Sequence, residues 1–288
     1  MNNWSCGWPA PAKLNLLLLI IGQRADGYHE LQTVFQFVDY SDLLDFRLRA
    51  DSQICRITDL PGVEVENDLV VRAARLLQEH AKIKLGVDIR VDKRLPMGGG
   101  LGGGSSDAAT VLVALNFLWN CGLSTQDLAL LGVKLGADVP IFVRGKAAWA
   151  EGVGDQFQSI SLIEPYFLVI SPPCHVSTAE IFCDPQLTRD TSRIKIRAFI
   201  EGDIRNDCLS VVCKRHPEVA YAMQWLDDFA QARLTGTGGC VFAAFESEHT
   251  AREVLQQLPE RHTGFVAKGL NSSPLLAKLA EVRQVNTG

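Results

Sequence analysis

A glycine-rich run in the middle of the chain limits its possible folds more than any other feature. Six of the seven residues from 98 to 104 are glycine, and the run follows a predicted strand and precedes a predicted helix. Ordering each glycine costs about 1–2 kcal/mol of backbone entropy, and a plain turn needs only one or two of them. Backbone N–H groups that open a helix bind anions because they have no partner within the helix. The run therefore predicts a phosphate-binding loop rather than a simple turn.

This loop does not match the common nucleotide-binding motifs. No lysine follows the glycines, which excludes the P-loop pattern. Gly98, Gly100 and Gly103 fit the dinucleotide spacing, but the acidic residue that should end the next strand is missing. Protein-kinase and hydrolase signatures are also missing. A nicotinamide-dependent oxidoreductase and a non-catalytic nucleotide-binding module remain as alternatives.

Composition and charge disfavour several broad classes of protein. The chain has 288 residues, of which 47% are hydrophobic, and a net charge of −5, so it is neither disordered nor suited to gripping nucleic acid. Its longest apolar run, 16–21, is far shorter than the ~20 residues of a membrane helix, and its N-terminus lacks a secretory pattern. Neither its eight cysteines nor its six histidines have metal-site spacing. We therefore expect a cytoplasmic protein, a monomer or weak homodimer, with no protein-held metal and no nucleic-acid or membrane partner.

Apolar periodicity divides the chain into strands and helices. Strands are predicted over 13–21, 32–38, 43–48, 87–91, 141–144, 147–150, 157–162, 166–171, 240–245 and 264–268. Helices are predicted over 67–82, 108–119, 124–136, 217–230 and 247–258. Asn67 is the expected cap of the first helix. The pattern changes near residue 160, which predicts one lobe over 1–160 and a second over 161–288.

Four shorter motifs contain residue types that are suited to chemistry. They are Pro11-Ala-Lys13-Leu-Asn15, Asp26-Gly-Tyr28-His29, Gly136-Ala-Asp138-Val-Pro140 and Thr235-Gly-Thr-Gly-Gly239. Lys13 and Asn15 share one face of a strand because side chains alternate along it. Asp138 is expected at a helix-to-strand junction. Taken singly, each motif also has a plain structural explanation: a solvated strand end, a packed tyrosine, an aspartate in a turn and a hairpin.

Together, in this order and spacing, the five motifs resemble those of the GHMP small-molecule kinases. The resemblance extends from about Pro11 to about Pro274 and includes the segment from Leu95 to Ala109. It implies an α+β (mixed α/β) fold of two lobes with the active site in the cleft between them. Residues 1–160 would form the ATP-binding N-terminal lobe and 161–288 the C-terminal lobe. The implied reaction transfers the γ-phosphate of ATP to a hydroxyl of a small molecule.

The resemblance also implies roles for individual residues. Lys13 and Asp138 match the catalytic positions of the family, and Asn15, Tyr28, His29 and Phe182 match positions that hold the substrate. No carboxylate is an obvious dedicated ligand for Mg²⁺, so phosphates, water and a hydroxyl such as that of Ser106 would hold the ion. The ATP triphosphate loop would comprise Pro96, Met97, Gly98, Gly99, Gly100, Leu101, Gly102, Gly103, Gly104, Ser105 and Ser106.

Within the family, the segment Gly27-Tyr28-His29 and the extra glycines at 102–104 indicate the substrate. They are similar to those of the member that phosphorylates the 2-hydroxyl of a cytidine diphosphate derivative of methylerythritol, in non-mevalonate isoprenoid synthesis. Tyr28 and Phe182 would stack on the two faces of the cytosine, and His29 would bond its polar edge. Kinases of homoserine, mevalonate or a sugar remain alternatives, although an aromatic clamp suits a nucleobase better than a small acid or sugar.

Overall fold

The computed structural model describes residues 4–285. Residues 1–3 and 286–288 lie outside the described residues. The prediction that the chain has no secretory signal rests in part on residues 1–3. The described strands are β1 (Trp4–Gln23), β2 (His29–Arg49), β3 (Ile54–Arg56), β4 (Gly86–Asp92), β5 (Ala148–Glu151), β6 (Gln156–Ser159), β7 (Tyr166–Ser171), β8 (Arg233–Leu234), β9 (Val241–Phe245) and β10 (Thr263–Leu270). The described helices are α1 (Leu69–His80), α2 (Gly103–Leu118), α3 (Thr125–Val133), α4 (Val139–Arg144), α5 (Thr178–Phe182), α6 (Ile196–Ile200), α7 (Leu209–Arg215), α8 (Pro217–Asp227), α9 (Glu248–Leu255) and α10 (Pro274–Val285). Among residues 4–285, no helix has the length and apolar character needed to span a bilayer.

A mixed sheet runs through both halves of the chain. Its successive neighbours are β3, β4, β2, β10, β7, β9 and β8, with β1 and β5 also paired to β2. β1 and β2 are antiparallel along most of their length, and this pairing sets Lys13 opposite Phe37. β10 joins the two halves, because Leu270 pairs with Phe37 of β2 while Phe265 pairs with Val169 of β7. The predicted α+β class is confirmed.

Apolar side chains form three clusters on this sheet. The first lies among α1, α2, α3 and α4 and includes Leu112 and Phe142, and the second lies around α7, α8 and α9 and includes Val212. The third connects the halves through residues such as Phe167. Leu275 of α10 packs into the first cluster, although α10 falls in the second predicted lobe. The boundary at residue 160 remains a prediction.

Two stretches of the chain differ from the sequence-based expectation. The strands predicted over 32–38 and 43–48 are one continuous strand, β2, because pairing with β1 resumes at Ser41. The strand predicted over 141–144 is wrong: these residues lie in the buried helix α4. A short apolar run does not distinguish a strand from a buried helix, and a proline such as Pro140 is tolerated in a first helical turn. Asp138 therefore lies between two helices, not at a helix-to-strand junction.

The starts of two helices also differ from the prediction. α1 is capped by Asp68 rather than Asn67, since the Asp68 carboxylate accepts a hydrogen bond from the Val70 N–H at 2.9 Å. α2 begins inside the glycine run at Gly103, after Gly102 at a φ of 75°. This left-handed conformation favours glycine because it has no Cβ. The last two glycines and the following serines thus form the first turn of α2.

Candidate active site

One cleft brings the sequence-predicted residues together. Its volume is about 1150 Å³, and it is bounded by β1, β2, the glycine-rich loop, α5 and the loop over 235–239. Every predicted site residue lines this cleft except Ser106. Ser106 is buried behind the loop, and its hydroxyl has no hydrogen-bond partner among the described residues. The five motifs therefore meet in space although they are scattered along the chain.

The glycine-rich loop ends in the N-terminus of a sixteen-residue helix, α2. The first N–H groups of any α-helix have no intrahelical partner, and at this end no side chain caps them. The positive end of the helix dipole points the same way and favours an anion there. A Cβ on Gly104 would meet only Leu69, at 3.6 Å, and one on Gly103 would have its nearest neighbours at 3.4 Å. These two glycines line the cleft, and a Cβ at either would make only ordinary van der Waals contacts.

The earlier glycines of the run serve a different purpose. Gly99 accepts a hydrogen bond from the Cys240 N–H at 3.0 Å, and a Cβ on Gly99 would lie 2.5 Å from the Cys240 sulfur. A Cβ on Gly100 would collide with the carbonyl oxygen of Thr235. The first part of the loop thus packs closely against the turn between β8 and β9. Gly103 and Gly104 have looser surroundings, since a Cβ there would make only ordinary van der Waals contacts.

Lys13 and Asp138 form an ion pair inside the cleft. The Lys13 ammonium lies 3.4 Å from the Asp138 carboxylate, with the lysine side chain 4% exposed and the aspartate side chain 36% exposed. Lys13 also donates to the carbonyl oxygen of Gly100 at 3.0 Å and to the side-chain oxygen of Asn15. Asp138 occupies the N-cap position of α4, yet its side chain makes no capping hydrogen bond. Its carboxylate therefore lines the cleft, paired with Lys13, and does not cap the helix.

Asn15 is buried beside this pair, with both ends of its amide engaged. Its oxygen accepts from Lys13, and its nitrogen donates to the Thr33 hydroxyl at 2.8 Å. Its backbone N–H donates to the Thr235 hydroxyl at 3.1 Å. The observed role of Asn15 is to hold Lys13 in place, and its contact with substrate stays a prediction.

The aromatic residues are arranged differently from the expected clamp. His29 stacks on Phe182 with ring centroids 4.9 Å apart and planes inclined by 20°. Tyr28 is 65% exposed at the mouth of the cleft. Arg189, which no sequence motif indicated, donates to Nε2 of His29 at 3.2 Å. Burial and the charge of Arg189 lower the pKa of His29 below its usual 6.5.

A buried cluster of charged side chains lies beside the glycine-rich loop. The Lys93 ammonium lies between the carboxylates of Asp107, at 2.8 Å, and Asp42. Burial, together with the charge of Asp42, raises the pKa of Asp107 to about 8 against the opposing effect of Lys93. Asp42 also accepts hydrogen bonds from the Arg94 and Leu95 N–H groups, at 2.6 and 2.8 Å, whereas Asp107 has Lys93 as its hydrogen-bond partner, so of the two carboxyls Asp107 is the one whose burial favours the protonated form. Nothing in the sequence indicated this cluster, since its members come from three separate segments.

Two family models match the chain. The model described as GHMP kinases N terminal domain matches residues 68–146, and the model described as GHMP kinases C terminal matches residues 196–263. A solved structure of 4-(cytidine 5'-diphospho)-2C-methyl-D-erythritol kinase superposes with a TM-score of 0.80 at 30% identity, over 91% of this chain and 98% of that chain. A homoserine kinase from Cytophaga hutchinsonii superposes with a TM-score of 0.64 at 17% identity, over 95% and 96%. The second likeness concerns the fold alone.

Curated relatives match over nearly the whole chain. A 4-diphosphocytidyl-2-C-methyl-D-erythritol kinase of Shewanella halifaxensis is 54% identical over 96% of this chain and 98% of its own length. A kinase of the same name from Pseudomonas paraeruginosa is 57% identical over 94% of this chain and 96% of its own. These relatives, the two matched models and the geometry of the cleft agree. The chain belongs to the GHMP kinases, in the family of 4-diphosphocytidyl-2-C-methyl-D-erythritol kinases.

Proposed function

We propose that this chain transfers the γ-phosphate of ATP to the 2-hydroxyl of 4-diphosphocytidyl-2-C-methyl-D-erythritol, a step of isoprenoid synthesis. The observation that carries the proposal is the Lys13–Asp138 pair, 3.4 Å apart, in the same cleft as the uncapped N-terminus of α2. This arrangement supports a base and a phosphate site within one cavity. Residues 1–160 and 161–288 are the two lobes in this proposal.

The glycine-rich loop would bind the triphosphate. Phosphoryl transfer depends mainly on positioning and charge stabilisation, because its transition state is loose and spreads charge over the phosphoryl oxygens. The free N–H groups of Gly103, Gly104 and Ser105 can donate to those oxygens, and the helix dipole favours them further. Met97 and Leu101 line the cleft beside them. Gly98, Gly99 and Gly100 hold the loop against the neighbouring turn, and Gly102 packs against Phe142. Pro96 lines the cleft at the start of the loop.

Mg²⁺ would accompany ATP with little help from protein carboxylates. The described residues contain no group of three or more histidine, cysteine, aspartate or glutamate side chains that could hold a metal. Mg²⁺ usually keeps several waters and binds substrate phosphates, so such a site fits it. The Ser106 hydroxyl has no partner among the described residues, but it is buried behind the loop and does not line the cleft. Held by the phosphates and water, Mg²⁺ would neutralise phosphate charge.

Asp138 would take the proton of the attacking hydroxyl. Its carboxylate is partly exposed to the cleft and makes no capping hydrogen bond, so it can turn towards a substrate. Lys13 attracts both this carboxylate and the negative oxygen that forms as the proton leaves. Asn15 and the Gly100 carbonyl hold the Lys13 ammonium in position. Proton transfer of this kind contributes about 10²–10⁴-fold to a rate.

The cytidine would bind at the other end of the cleft. Tyr28 is exposed there and available for stacking, while His29 and Phe182 form a stacked pair that also lines the cleft. Stacking of a base on an aromatic ring is worth about 1–3 kcal/mol.

All eight cysteines are free, which is typical of a reducing compartment and supports a cytoplasmic location.

An ATP-coupled assay across acceptors tests the proposal. The purified chain is offered ATP and Mg²⁺ with the cytidine substrate, homoserine, mevalonate or a sugar, and ADP release is followed. Turnover is expected with the cytidine substrate and at most weakly with the others. Turnover with homoserine or mevalonate alone would refute the proposed substrate. ATP binding without any turnover would support a non-catalytic module, and NAD binding without ATP binding would support an oxidoreductase.

A further inference from the structure

Arg189 connects the two aromatic residues at the proposed nucleobase site. It lies in the irregular segment after α5, and its Nε donates to Nε2 of His29 at 3.2 Å. Its Nη2 donates to the carbonyl oxygens of Phe182, at 2.7 Å, and Asp184, at 2.8 Å. Its Nη1 donates to the carbonyl oxygen of Leu187 at 3.1 Å. All three guanidinium nitrogens are therefore engaged, so the group is held in one orientation.

The contact with Arg189 determines which nitrogen of His29 carries hydrogen. A guanidinium can only donate, so Nε2 of His29 must accept through its lone pair. Burial and the positive charge of Arg189 lower the pKa of His29, which favours the neutral ring at physiological pH. A neutral imidazole that accepts at Nε2 carries its hydrogen on Nδ1. The second nitrogen of His29 is therefore a hydrogen-bond donor.

The orientation of the His29 ring is fixed as well as its tautomer. The ring stacks on Phe182, whose carbonyl oxygen is held by the same guanidinium. His29 lines the cleft, and among residues 4–285 its Nδ1 has no hydrogen-bond partner and is not one of the buried unpaired atoms. A single donor of fixed direction is thus available to a ligand beside the stacked rings.

We propose that Arg189 is a positioning residue that sets base specificity: it fixes His29 as an Nδ1–H donor, and this donor selects cytosine over uracil. The inference rests on the proposed function, in which His29 meets the polar edge of the base. Cytosine has an acceptor at N3, whereas uracil has a hydrogen there. An N–H donor facing N3 bonds to cytosine but meets a second donor in uracil, and two buried donors without acceptors oppose binding.

The tautomer can be measured in the ligand-free protein. Imidazole nitrogen chemical shifts distinguish a nitrogen that carries hydrogen from one that does not, and His29→Asn assigns the signals by removing them. The wild type is expected to carry hydrogen on Nδ1 of His29, and Arg189→Met is expected to shift the population towards hydrogen on Nε2. Hydrogen on Nε2 in the wild type would overturn the proposal even if Arg189→Met failed to fold.

Specificity is measured as kcat/KM for the cytidine substrate divided by that for its uridine counterpart. Arg189→Met is expected to lower this ratio by about tenfold or more, through KM of the cytidine substrate, with KM for ATP unchanged. The control is Arg193→Met, since Arg193 lies nearby but pairs with Glu30 at 2.9 Å on the surface. The control should leave the ratio unchanged.

An unchanged ratio in folded Arg189→Met would refute the role of Arg189 while leaving the proposed function intact. Equal fold losses of kcat/KM for the two substrates leave the ratio unchanged and would refute it in the same way, since a merely structural arginine gives that result. Failure of the wild type to phosphorylate the cytidine substrate would instead refute the proposed function and, with it, the base selection. The two failures are therefore distinguishable.

Discussion

Asp138→Asn is expected to remove nearly all turnover and leave the fold almost unchanged. Asparagine keeps the size of the side chain and one acceptor oxygen, and no capping bond to α4 is lost because Asp138 makes none. The ion pair with Lys13 is partly exposed on the aspartate side. Lys13 is buried, but it keeps its acceptors on Asn15 and Gly100, so the loss should stay near the value for exposed pairs, about 1 kcal/mol or roughly 2–4 °C in Tm.

The kinetic loss should be much larger than the loss of stability. Asparagine cannot accept a proton at neutral pH, so the contribution of a general base, about 10²–10⁴-fold in kcat, should disappear. This corresponds to about 3–5 kcal/mol of activation free energy. Both substrates should still bind, because the loop and the aromatic residues are unchanged.

Three measurements on the purified variant check this expectation: kcat from coupled ADP release, the dissociation constants of both substrates by calorimetry, and Tm. The matched control is Asp127→Asn, because Asp127 does take part in a capping box, with Ser124 at the start of α3. The control should lose Tm and keep kcat. If Asp138→Asn behaves like this control, Asp138 is a structural residue and the base must be sought elsewhere.

Lys13→Met tests whether the two residues act as a unit. It should also lower kcat strongly, and its Tm should fall further than that of Asp138→Asn because Asn15 and the Gly100 carbonyl lose their buried donor. The double variant should be no slower than the worse single variant. Fully multiplicative losses in kcat would contradict a catalytic pair.

Three other variants test separate parts of the site. Gly104→Val should fold, since a Cβ there meets only Leu69 at 3.6 Å, but calorimetry should show ATP binding weakened about tenfold or more as phosphate contacts are lost. Tyr28→Ala should weaken binding of the cytidine substrate by about 1–3 kcal/mol without changing ATP affinity, and equal losses for both ligands would indicate general damage. The raised pKa of Asp107, about 8, lets the folded state hold a proton that the unfolded state has already released. Between about pH 5 and pH 7, stability should therefore fall by about 1.4 kcal/mol per pH unit, and Asp107→Asn should flatten this slope in Tm scans; an unchanged slope would show that Asp107 is already ionised.

Local sequence patterns and the resemblance together predicted much of the fold and many of the residues that line the cleft. The glycine run, its helix and the long strands were recognisable because each depends on neighbouring residues: glycine tolerance, capping and apolar periodicity. The order of five motifs then indicated the family, and every predicted site residue except Ser106 lines the cleft. The local patterns failed at 141–144, where a short apolar run fits a strand and a buried helix equally well.

Only the tertiary structure determined the packing, contacts and protonation of the individual residues of the site. Sequence alone treats six glycines alike, whereas Gly98, Gly99 and Gly100 pack tightly against their neighbours and a Cβ on Gly103 or Gly104 would make only ordinary van der Waals contacts. His29 and Arg189 are 160 residues apart in the chain, and no local pattern connects them. The protonation of Asp107 likewise depends on burial and on charges from other segments. Such properties arise from distances between side chains that only the packing of the whole chain brings together, so they cannot be read from the sequence near each residue.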